Sequence, residues 1–98
     1  MAEEKKEVAR LNVQGECALP NGNQLVLTHY APMGFDDNLV VRDPQGNRLW
    51  GITDVHRYGG AVMATVYDNG TFTFNTFEGV GAVIDAVTFE VRGKEFSK

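Results

Sequence analysis

The chain holds one cysteine, two histidines and three prolines among its 98 residues. A single thiol, Cys17, excludes an intrachain disulfide and fits a reducing compartment. His29 and His56 stand far apart, and with that one thiol they form no zinc-binding pattern. No apolar run approaches the ~18–20 residues that a membrane span requires. The opening residues, MAEEKKEV, lack the apolar segment of a signal peptide, so the expected compartment is the cytoplasm. A leader already removed would leave no trace in these residues. Basic residues are also few: nine Lys and Arg against thirteen Asp and Glu give a formal charge of −4. Such a domain repels phosphate backbones, which disfavours nucleic acid as a general partner. Amphipathic helical periodicity and internal repeats are both missing.

What is present reads as β-structure. The length fits one domain, and a hydrophobic content of 43% is too high for disorder. Eleven glycines and the prolines punctuate the chain into short runs. Residues 1–6 are charged and read as a flexible tail. Residues 7–92 read as a single all-β domain, and 93–98 as a charged C-terminal tail on which Phe96 docks back.

The clearest stretch is GAVMATVYDNGTFTFNTF, from Gly60 to Phe77. Asn69 and Gly70 tolerate the positive φ that a tight hairpin turn demands. A two-residue loop would set Tyr67 opposite Phe72 and leave both faces apolar or mixed. A three-residue loop with Gly70 as a left-handed bulge sets Tyr67 opposite Thr71. One face then reads Val62, Ala64, Val66, Phe72, Phe74, and the other reads Met63, Thr65, Tyr67, Thr71, Thr73, Asn75. The second register separates core from solvent, so it is the expected one.

Leu39 to Ile52 predicts another hairpin, turning at Asp43-Pro44-Gln45-Gly46-Asn47. The same bulged loop sets Val41 opposite Leu49 and Arg42 opposite Arg48. Leu39, Val41 and Leu49 would then share one face, and Val40, Arg42, Arg48 and Trp50 the other. Upstream, Ala9, Leu11, Val13, Gly15, Cys17 and Leu19 alternate with polar residues, which predicts one long strand bent at Gly15. Cys17 lies on the apolar side, as a small core residue. Gln24 to Ala31 predicts a strand whose parity turns His29 inward as a hydrogen-bonded core residue. Pro32 to Asn38 is a loop carrying Met33 and Phe35, which either tuck over the core or form a contact surface. Its acids lack the ligand spacing of a calcium loop and read as solvated. Glu78-Gly79-Val80-Gly81 reads as a flexible connection and fits neither glycine fingerprint of a phosphate loop. Ala82 to Arg92 reads as the last strand, with either a bulge near Asp85 or a buried Asp85 paired to His29. The sum is about seven antiparallel strands in a meander, closing as a small barrel or a two-sheet sandwich.

No catalytic constellation, metal-ligand set or cofactor motif stands out. Cations and aromatics interleave only at Arg42, Arg48, Trp50, His56, Arg57 and Tyr58. Arginine suits an anion, and Trp and Tyr suit a flat group. With the Met33/Phe35 loop, these residues define the expected binding surface of a non-catalytic module that recognises a protein or a small ligand. The competing reading is a solvated face whose arginines pair with Asp43, Asp54 or Glu78. Two other functions carry weight. A small β-barrel enzyme would draw acid–base groups from His29, Tyr30, His56 and Asp85. A single-stranded nucleic-acid binder of the OB type would stack bases on the aromatics. Self-association along a sheet edge, as a homodimer, is a further option.

Overall fold

Residues 7–19 do not run as one strand; they divide between two sheets. In the computed structural model, which describes residues 6–29 and 37–96 (the side chains of 95 and 96 excepted), β1 is Glu7–Asn12 and β2 is Gly15–Ala18. Between them Gln14 N–H donates to the Asn12 carbonyl at 2.6 Å, around a Val13 with φ of 66°. This is a three-residue turn of the strained hand, and a β-branched residue there is a genuine outlier. The bend therefore falls at Val13, ahead of the expected Gly15, and leaves Val13 half exposed rather than inward.

The remaining strands are β3 (Gln24–Leu27), β4 (Leu39–Arg42), β5 (Arg48–Gly51), β6 (Ala61–Tyr67), β7 (Thr71–Thr76), β8 (Val80–Asp85) and β9 (Val91–Phe96). A 3-10 turn, Ile52–Asp54, follows β5. Two antiparallel sheets result, one ordered β1-β6-β7-β8-β9 and the other β2-β3-β4-β5. They pack as a sandwich, and no closed barrel forms among the described residues. Leu25, Leu27, Leu39, Val41, Trp50 and Ile52 meet Ala64, Val66, Phe72, Phe74 and Ile84 in one core. Among the described residues no helix is long and apolar enough to cross a membrane.

The β6–β7 hairpin has the bulged register. Val66 faces Phe72, Thr65 faces Thr73 and Ala64 faces Phe74, with Gly70 at φ 84°. Asn69 Oδ1 accepts from the Thr71 N–H and hydroxyl, which fixes the loop. The β4–β5 hairpin starts in the expected register, Arg42 opposite Arg48, and then slips. Its turn is held by Asp43, whose Oδ1 accepts from the Gln45 and Asn47 N–H groups.

The C-terminal part differs from the expectation. Val80 and Gly81 belong to β8 rather than to a flexible connection, and residues 93–96 belong to β9 rather than to a tail. A loop centred on 86–90 separates β8 from β9. Asp85 makes that loop: its Oδ1 accepts from the Val87 and Thr88 N–H groups at 2.8 and 2.9 Å. Phe89, at φ 64°, closes it by donating its N–H to the Asp85 carbonyl. Asp85 is thus a half-buried turn residue and not a core acid; a register shift does occur, between Val83 and Ile84. His29 is exposed rather than inward, because β3 ends at Leu27 and parity no longer governs it.

Asn38, read from sequence as a loop residue, is 2% exposed and joins the two sheets. Its Nδ2 donates to the carbonyls of Thr28 and Ala61, at 2.8 and 2.7 Å. Its Oδ1 accepts from the Ala61 N–H at 2.8 Å.

Candidate functional site

The cation–aromatic group expected around β5 is divided by one extra residue. Val41 faces Trp50 instead of Leu49, so a bulge at Leu49 turns Trp50 inward. Trp50 is 3% exposed and lies edge-on to Phe72, with ring centroids 5.2 Å apart at 76°. Leu49 takes the solvent side in its place. Trp50 is therefore a core aromatic, and its Nε1 has no hydrogen-bond partner.

Arg48 is held by acids. Its Nε donates to Asp37 Oδ2 at 2.7 Å, and its Nη2 lies 3.3 Å from Asp54 Oδ1. Asp37 also accepts from the Thr53 N–H and hydroxyl, and Asp54 from the Gly51 N–H. Burial works to raise the Asp37 pKa, but the Arg48 and Thr53 hydrogen bonds overcome it and hold the carboxyl below its ordinary value. The clasp closes directly over Gly51: a Cβ there would overlap both the Arg48 guanidinium and the Asp37 carboxylate. Arg48 thus pairs with Asp54, as the solvated-face reading expected, and with Asp37, which that reading did not name.

Arg42 Nη1 donates to the Gly46 carbonyl at 3.0 Å, within its own hairpin. It borders an open depression of about 520 Å³ on the outer face of β2–β4, where Gln24 and Glu16 are hydrogen-bonded to each other. Arg57 and Tyr58 are exposed, with the guanidinium carbon 5.5 Å from the ring centroid. Phe77, which sequence reasoning did not single out, is 76% exposed. Because Thr76 pairs with Ala61, Phe77 and the Tyr58–Gly60 segment leave the sheet at the same end. Tyr30, Met33 and Phe35 lie outside the described residues.

Of the expected residues that the structure describes, only His56 lines an apolar cleft. Phe74 of β7, Val80, Gly81 and Ala82 of β8 and Lys94 of β9 form one wall, and Val55 and His56 the other, around about 210 Å³. The His56 N–H donates to the Ile52 carbonyl at 2.8 Å, which seats the imidazole on the 3-10 turn. Its Nε2 is buried and has no hydrogen-bond partner. Glu78 Oε1 stands 3.5 Å away, within ion-pair reach but beyond the ~2.7–3.2 Å of a good hydrogen bond. Lys94, opposite Ala82 in the ladder, makes no ion pair among the described residues. The cleft thus has apolar walls, with His56 and Lys94 as the polar residues of its lining.

Among the described residues the acid–base cluster of the enzyme reading is not assembled. His29 is exposed beyond β3, while Asp85 is bound by Arg92 Nη2 at 2.6 Å and by two turn N–H groups. Those partners, Arg92 foremost, hold the Asp85 carboxyl far below its ordinary value, which makes it a poor base. Cys17 is half-buried, and burial pushes its thiol pKa up, away from nucleophile chemistry. Among the described residues no cluster of three or more His, Cys, Asp or Glu is placed to hold a metal ion.

No protein-family model matches the chain, and no curated protein or solved structure does either.

Proposed function

We propose that this domain is a non-catalytic binding module that takes a small, mainly apolar ligand into the cleft between β7–β9 and Val55–His56. The observation that carries the reading is the cleft itself: the apolar side chains of Val55, Phe74, Val80 and Ala82 enclose it, with His56 and Lys94 as its polar lining. Small-ligand sites combine such walls with a few polar groups that fix orientation. The acid–base alternative is weaker because Asp85 is committed to a turn and to Arg92. Base stacking is weaker because Trp50 is a core residue. A reducing compartment such as the cytoplasm fits the lone, unpaired Cys17.

The test is a titration of the isotope-labelled domain with toluene and indole, followed by backbone and methyl NMR. Shifts should centre on Val55, His56, Val80 and Ala82. Shifts spread over the surface, or confined to the Arg42 depression, would dismiss the cleft as the site.

A further inference from the structure

We propose that the ligand of this cleft is a small monocarboxylate of about the size of benzoate, its hydrocarbon against Phe74, Val55 and Ala82 and its carboxylate between Lys94 and His56. The inference rests on the binding reading above and adds the chemical class. Size comes first. A dry cavity of about 150 Å³ holds one benzene ring. The 210 Å³ between these walls holds a ring and one small substituent. Polarity comes second. The lining is apolar except at His56 and Lys94, so the ligand carries its polar atoms at one end.

Charge decides the class. The chain is acidic as a whole, with a formal charge of −4, yet the cleft wall carries a lysine without an ion-pair partner among the described residues. A cationic ligand would meet Lys94 with like charge. A carboxylate finds a cation there in Lys94, beside the His56 side chain. Among the described residues, the acid beside the site is Glu78, 3.5 Å from His56 Nε2 with its side chain 67% exposed. Its presence favours a single negative charge over two, and its exposure lets it swing into water as the ligand carboxylate takes its place.

The experiment compares benzoate, benzamide and toluene by NMR titration against the intact domain. All three should shift Val55, Val80 and Ala82. Benzoate should bind about two- to fivefold more tightly than benzamide, the range of a partly exposed ion pair. Lys94→Gln should erase that preference, Glu78→Gln should enlarge it, and added salt should shrink it. Lys94 is exposed on a sheet edge, so an unchanged melting temperature for Lys94→Gln will show that the fold is intact. Benzoate binding no tighter than benzamide, or a preference that survives Lys94→Gln, would overturn the carboxylate class while leaving a neutral-ligand cleft standing. Silence from all three probes would overturn the class and the binding reading together.

Discussion

Replacing Asn38 by Ala should cost more stability than any other single polar deletion in the described residues. The last β1 partner on β6 is Asn12, opposite Met63, and the Val13 N–H reaches the Val62 carbonyl. Past that point β1 no longer lies beside Ala61, although β7 still pairs with it through Thr76. The Asn38 amide stands in for β1, accepting from the Ala61 N–H and donating to its carbonyl. Asn38→Ala leaves both groups, on a residue 1% exposed, without partners. The Thr28 carbonyl also loses its donor, but Thr28 is exposed and water can replace it. Two buried groups at ~1–3 kcal/mol each give a loss of about 2–6 kcal/mol. A domain of this size is stable by roughly 5–15 kcal/mol, so the change is a large share of the total. At about 4–8 °C per kcal/mol, even the lower bound lowers Tm by roughly 8–16 °C.

The assay is equilibrium urea unfolding followed by fluorescence of Trp50, the chain's single tryptophan and a buried one. The midpoint should fall with little change in slope, as expected for a loss of stability without a change in exposed surface. Asn38→Asp keeps the shape but turns an oxygen toward two carbonyls. It should be at least as damaging as Ala at neutral pH and recover on acidification, when the carboxyl becomes a donor. A cost below about 1 kcal/mol for Asn38→Ala would refute the argument that this amide joins the sheets.

Gly51→Ala should cost no more than about 1 kcal/mol by urea unfolding, because the new Cβ displaces only the flexible, part-exposed ends of Arg48 and Asp37; a larger loss would show that the clasp is rigid. Val13→Asn should raise stability by about 1 kcal/mol, since Asn tolerates the positive φ that strains a half-exposed valine; a lower melting temperature would place the value of Val13 in its packing. Asp37, Asp43 and Asp85 all have lowered pKa values. A depressed carboxyl stabilises fully above its unfolded value, near ~3.9 for Asp, and loses that contribution as pH falls through the folded value. Urea midpoints should therefore fall progressively below about pH 4, with a shallower fall in Asp37→Asn; a flat profile would contradict the pairing.

The β6–β7 hairpin was legible because its information is local. Asp68-Asn69-Gly70 sets the loop, and the alternation on each side accepts one register only. The β4–β5 hairpin was legible at its turn and not beyond it. Leu49 and Trp50 are adjacent apolar residues, either of which fills an inward position, so the sequence carries no mark of the bulge that selects Trp50. Val13 hid the sheet boundary for the opposite reason, being a strand-former placed at a strained bend. Asn38 looked like a solvated loop residue, and Asp85 like a strand residue set at a bulge or buried against His29, because their partners lie elsewhere: Ala61 for Asn38, and for Asp85 its own loop's N–H groups and Arg92. The candidate site was nearly illegible. It draws on three strands and a turn, and of the expected binding residues that the structure describes, only His56 lines it.

The cleft follows from unequal sheets. β1 and β2 form one bent run, so both sheets begin at the same corner. The five-stranded sheet then extends one strand further than the four-stranded one, and the 3-10 turn with Val55 and His56 covers its inner face near β8 and β9 in place of a strand. A short turn carries fewer side chains than a strand, and the shortfall is the 210 Å³ beside Ala82. Ala82 is 5% exposed and lines that space, so Ala82→Leu should fill it. Cavity filling of this kind gains ~0.5–2 kcal/mol, equivalent to a Tm rise of roughly 2–16 °C at this size. The same substitution should abolish the toluene shifts, because the leucine occupies the ligand's place. A variant that is more stable and no longer binds would tie the site to the missing strand. A variant that is less stable and still binds toluene would show that the ligand sits elsewhere and that the cleft is filled by other means.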